Sequence, residues 1–103
     1  MIIPLQEHTK EIVNHNFTFL RVCILSMTQE EFADWLGITR NMINSYERDK
    51  ATPSIAILVA LDTKLKIDIN KLLKDILTID NFSDFLRTPD ATKDYIDSIA
   101  SQH

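Results

Sequence analysis

EEFADWLGITRNMINSYERDKATPS, residues 30–54, decides how this chain is read, because it holds Gly37, the single glycine among 103 residues. Glycine inside a helix costs about 1 kcal/mol relative to alanine, so a helix-rich sequence spends it where the backbone must leave the helical region. Upstream, Thr28 stands three residues before Glu31, the spacing of a capping box. It starts a helix whose apolar face is Phe32, Ala33 and Leu36, and that helix stops at Gly37. Two residues later Thr39 is placed to cap a further helix running through RNMINSYER. A residue just past a helix end takes the left-handed conformation most cheaply as glycine.

Helix, short glycine-bearing turn, helix is the helix-turn-helix arrangement. An ordinary corner between two helices, with no nucleic-acid role, has the same signature from the glycine alone. The helix after the turn separates the two readings further. At 100° per residue, Arg40, Asn41, Asn44, Ser45 and Arg48 share an arc of about 140°. Ile43 and Tyr46 fall on the opposite side, Thr39 and Met42 flank them, and Glu47 lies at the border. One face is two arginines, two asparagines and a serine; the other is core. Arginine can grip guanine O6 and N7 with two hydrogen bonds, and asparagine can do the same with adenine N6 and N7. For a face that is only solvated, glutamate or lysine would be the better helix formers.

Composition sets the frame. With 45% hydrophobic residues, one glycine and three prolines, the sequence fits one small all-α domain rather than many short strands. MIIPLQEHTK has no basic region followed by an apolar stretch, so no secretory signal is expected, and no apolar run reaches the roughly 20 residues that span a bilayer. Cys23 is alone, which excludes an internal disulfide, fits a reducing cytoplasm, and reads as an apolar filler on a buried helix face. The net charge of −4 weighs against a nucleic-acid partner until its distribution is considered. Residues 17–75 carry eight basic and eight acidic side chains, whereas Asp80, Asp84, Asp90, Asp94 and Asp97 face only Arg87 and Lys93 in the tail. A local basic patch in the middle is compatible with that balance.

The periodicity of Ile12, Val13, Phe17, Leu20 and Ile24 predicts a first helix from about Glu7 to Leu25. After ATPS, where Pro53 ends one helix and Ser54 caps the next, Ile55, Leu58, Leu61 and Leu65 share one side of a fourth helix. Asp68 caps a short fifth. DNFSDFLR and TPDATKDYIDSIA read as two more short helices, the second capped by Thr88 with Pro89 in its first turn.

At residues 27–73 the sequence resembles the Cro/CI-type (XRE) helix-turn-helix family of bacterial and phage DNA-binding regulators. The resemblance is carried by MTQEEFADWLGITRNMINSYERDKATPS and then by ILVALDTKLKIDINKLL, without a gap. It implies a five-helix Cro/CI repressor-like bundle, here with additional short C-terminal helices, divided as 1–16, an extension of the first helix; 17–77, the helix-turn-helix domain; and 78–103, an acidic helical segment. It implies double-stranded DNA as partner, with Arg40, Asn41, Asn44 and Ser45 on base edges. Gln29, Thr39, Arg48, Lys50 and Thr52 would then lie on phosphates, since the recognition helix of such motifs enters the major groove and its neighbour crosses the backbone. The expected function is a sequence-specific transcriptional regulator, a repressor, acting as a homodimer.

Four positions depart from the family pattern. Asp49 and Lys66 stand where it has glycine, and Trp35 where it has an exposed charged residue, so that the N-terminal or C-terminal residues are expected to cover the indole. The family's arginine that pairs with the glutamate at Glu47 lies seven residues before Gln29; here that position is Val22, and Arg21 is one place off. Phe82, Phe85, Leu86, Tyr95, Ile96 and Ile99 make an apolar stripe beyond what five helices need, predicting a dimer interface or a fold-back over Trp35, with masking of the motif by the acidic tail less favoured. The alternative function is a protein-interaction or antitoxin-like subunit on the same scaffold. No enzyme activity, metal, cofactor, membrane or small-molecule ligand is implied: His8 and His15 are two turns apart, too far to share an ion, and no serine or cysteine has a recognisable histidine base.

Overall fold

The computed structural model describes residues 3–87 and 96–100, with side chains from Thr9 onward. Helix α1, Ile3–Phe19, starts earlier than its apolar periodicity predicts and runs directly into a π-helical turn, Leu20–Ile24. There the Leu25 N–H donates to the Leu20 carbonyl at 2.8 Å, the i→i+5 bond that defines the wider turn. Ser26 then takes a left-handed φ of 55°, and the Met27 N–H closes back on the Arg21 carbonyl at 2.9 Å. The π turn buries Leu20 and Leu25 and leaves Val22 and Cys23 facing out. Cys23 is therefore exposed, not the buried filler that a continuous α-helix would make it.

The chain continues as α2 (Gln29–Leu36), α3 (Arg40–Glu47), α4 (Ile55–Leu65) and α5 (Ile69–Lys74). Each starts on a side-chain cap. Thr28, Thr39 and Ser54 accept from the N–H three residues on, and Asp68 accepts from that of Asn70. Helix α1 packs on α3 and α5, and α2 packs on α3 and α4. Phe17 sits at their junction, its ring 5.0 Å from that of Phe32 and edge-on to that of Tyr46 at 5.4 Å. Burial there pushes the Tyr46 phenol up. Asn16, fully buried, ties α5 to α1: its Nδ2 donates to the carbonyls of Leu72 and Asp75, and its Oδ1 accepts from the Leu77 N–H.

Helix α4 buries Ile57, Leu58, Leu61 and Leu65, whereas Ile55, expected on that side, is 71% exposed. The buried arc is centred about 100° from residue 55, so the first residue of the helix turns to solvent. The helix ends at Lys66, which adopts the left-handed φ of 56° that its missing glycine would have supplied. The segment expected as a helix at 80–87 is a single 3₁₀ turn, Phe82–Phe85, followed by extended backbone. Leu86 there pairs antiparallel with Ile67, the Arg87 N–H donating to the Lys66 carbonyl and the Asp68 N–H to that of Phe85, both at 2.8 Å. An ion pair from Arg87 to Asp62 reinforces the bridge. This pairing claims the backbone groups that a helix would have used.

Phe85, Leu86 and Ile96 are buried in the same cluster as Val13, Phe17 and Leu20, with Phe82 and Ile99 packed against it. Most of the tail's apolar stripe is thus core of its own subunit. Trp35 stacks on Phe32, rings 5.8 Å apart and 17° from parallel, with the Lys64 ammonium 5.1 Å from its centroid. Among the described residues, the groups against its ring come from α2 and α4. The helix expected from Thr88 lies outside the described residues through Tyr95, and residues 96–100 are helical.

Candidate nucleic-acid interface

Helix α2 ends at Gly37 with φ 76°, the Ile38 N–H donating to the Ala33 carbonyl at 2.9 Å and the Gly37 N–H to that of Asp34 at 3.3 Å. These two bonds are a Schellman closure, which needs its left-handed residue at this position. Only two residues separate it from Thr39, whose hydroxyl accepts from the Met42 N–H at 3.2 Å and aims the start of α3 outward. The same closure recurs at the far end of α3: Asp49 has φ 58°, Lys50 N–H reaches the Ser45 carbonyl, and Asp49 N–H reaches that of Tyr46. Helix α3 is therefore a two-turn rod with both ends closed by local hydrogen bonds.

Its inner side, Ile43 and Tyr46, is buried. On its outer side Arg40, Asn41 and Arg48 are exposed, Asn44 and Ser45 are half-buried, and Thr39, Lys50 and Thr52 are exposed at its two ends. Met42, which the helical arc puts at the flank, is 38% exposed and widens the outer face. None of the four residues expected on base edges is covered by another part of the subunit to the point of burial.

Beneath this face lies a network that the sequence register did not predict. The Arg21 guanidinium grips Glu47 with two bonds, Nε to Oε2 at 2.6 Å and Nη2 to Oε1 at 2.9 Å, and its Nη1 donates to the Met27 carbonyl at 2.9 Å. Both side chains are largely withdrawn from water, at 15% and 11% exposure. A planar bidentate pair of this kind holds orientation as well as position. Arg21 reaches Glu47 although it sits one residue too early for a regular helix, because the π turn absorbs the extra residue. Val22, which occupies the family's arginine position by counting, is 49% exposed and uninvolved. The signal was present as a one-residue offset; its resolution needed the backbone.

Gln29 completes the network. Its Nε2 donates to Glu47 Oε1 at 3.0 Å and to Asn44 Oδ1 at 3.5 Å, so its amide hydrogens face α3. Any further acceptor for that amide would have to displace one of these bonds, and the 3.5 Å bond is the weaker. Buried Asn14, not singled out in the sequence, donates from Nδ2 to Asp49 Oδ1 at 3.0 Å and to the Ala51 carbonyl at 3.1 Å. It moors the segment carrying Lys50 and Thr52 to α1. Asparagine on the apolar side of α1 was the only trace of this in the sequence.

Among the described residues no group of three His, Cys, Asp or Glu could hold a metal ion, and no helix is long and apolar enough to cross a membrane. A family model described as helix-turn-helix matches residues 20–72, which contain the turn, the arginine–glutamate clamp and α3. No curated protein and no solved structure matches the chain.

Proposed function

The chain belongs to the Cro/CI-type helix-turn-helix family of DNA-binding regulators, and from that premise we propose that it is a sequence-specific repressor of transcription that inserts α3 into the major groove. The observation that carries the reading is the outer face of α3: guanidinium and amide groups of Arg40 and Asn41 exposed on a helix closed at both ends and clamped from beneath by Arg21 and Glu47. Such groups, projecting from a helix whose own position is fixed, suit base edges.

In this reading Arg40, Asn41, Asn44 and Ser45 read bases. Thr39, Arg48, Lys50 and Thr52 lie against phosphates, with Gln29 joining them through the displacement described above. Two copies bind half-sites about one helical turn apart, as paired motifs of this type do, and the protein works in the cytoplasm. The net charge of −4 does not oppose this, since α3 and its C-terminal flank carry Arg40, Arg48 and Lys50 against Glu47, already paired, and Asp49, bonded to Asn14.

Selection of bound duplexes from a random pool, followed by fluorescence anisotropy, tests the proposal. The selected site should be bound with a salt slope of about −2 to −3 per protomer, from roughly 0.9 per phosphate neutralised. Arg40→Ala should lose about 1–3 kcal/mol on that site and relax preference at one base pair. No enrichment, with no duplex binding at low salt, would turn the case toward a protein partner.

A further inference from the structure

A pocket of about 510 Å³ opens between the π turn and the C-terminal segment, within the size range of small-molecule sites. Ile24, Phe82, Leu86 and Ile96 give it apolar walls, and Asp80 and Asp97 stand at its lining. Both carboxylates are exposed, and neither has an ion-pair partner among the described residues. Two negative charges beside apolar walls attract a cation more strongly than open water does, and repel an anion. The Phe82 ring adds a face that a desolvated cation can use.

The geometry points to a binding site for a small apolar amine or quaternary ammonium compound whose occupancy alters DNA affinity through the π turn. The second half of that statement rests on the DNA-binding reading above. Cys23 and Ile24 line the pocket, while Arg21, on the same five-residue turn, grips Glu47 of α3. A π turn holds one residue more than an α turn, and expelling that residue would return Leu20–Ile24 to an α register. Passing from one to the other rotates Arg21 by about 100° about the helix axis and undoes its two bonds to Glu47. A ligand packed on Ile24 favours one register, which is the differential contact that coupling between two sites requires.

Cys23 is the only cysteine of the chain and is exposed at this pocket, so its alkylation by N-ethylmaleimide reports on the site alone. Benzyltrimethylammonium, titrated at constant ionic strength, should slow that reaction several-fold and saturably, whereas benzyl alcohol should not. Asp80→Asn combined with Asp97→Asn, both at exposed positions, should abolish the protection while leaving the circular dichroism spectrum unchanged. Absence of protection at about 10 mM probe, an affinity too weak for a specific site, would overturn the pocket, as would equal protection of the double variant. With the site saturated, the dissociation constant for the selected duplex should shift about fivefold or more. An unchanged constant under full protection would overturn the coupling. A protein that binds no duplex even without the probe would instead refute the DNA-binding reading, and the alkylation assay would still decide the pocket.

Discussion

Gly37 and Lys66 occupy the same backbone region at the ends of two helices, with φ of 76° and 56°. Glycine carries no penalty there, whereas a side chain costs about 1–2 kcal/mol, offset by roughly 0.5–1 kcal/mol because glycine loses more freedom on folding. A Cβ built on Gly37 meets nothing within 4 Å, so backbone strain is the whole cost of filling it. Gly37→Ala should therefore lower stability by about 1 kcal/mol, and Lys66→Gly should raise it by a similar or smaller amount, in urea denaturation monitored by circular dichroism. A loss at Gly37 far beyond that would mean the turn holds α3 by something other than its left-handed residue. The Lys66 side chain is not needed to hold the bridge, since that position contributes its carbonyl to Arg87.

At the scale of elements, the clamp between the π turn and α3 decides whether the outer face of α3 is a rigid surface. Arg21→Ala takes from Glu47, 11% exposed in the intact pair, its bidentate partner and leaves it the bond from Gln29. Removing one member of a withdrawn pair costs about 3 kcal/mol, because the other charge stays desolvated. Chemical denaturation should show that loss, and a joint replacement of Arg21 and Glu47 by leucine should recover much of it without restoring DNA affinity. Here too the reach of the sequence has a physical boundary. The caps at Thr28, Thr39, Ser54 and Asp68 were legible because each is a contact between a side chain and a backbone group two or three residues away. So was the exposed arc of α3, which follows from helical geometry alone. The π turn was not, since it is selected by what Arg21 and Leu25 meet across the core. The exposure of Cys23, the cover of Trp35 by Lys64 and the mooring role of Asn14 are likewise set by contacts far away in the chain.

For the whole molecule, the question is whether the tail is an appendage or part of the fold. Its apolar stripe suggested an interface awaiting a second copy, but Phe85, Leu86 and Ile96 are 1%, 6% and 2% exposed within one subunit. Burying each such side chain contributes about 1.5–3 kcal/mol, and three together approach the 5–15 kcal/mol net stability of a typical domain. Truncation after Leu77 removes all three, together with the backbone bridge at Ile67 and the ion pair to Asp62. The truncated chain should lose its cooperative thermal transition or melt far below the full chain, followed by circular dichroism at a concentration low enough to keep association out of the signal. Had the tail only joined two copies, the shortened chain would keep its melting transition there and change only its mass in solution. The first outcome denies the buried stripe any part in joining two copies, and it ties the pocket beneath the tail to the same cooperative unit as α3.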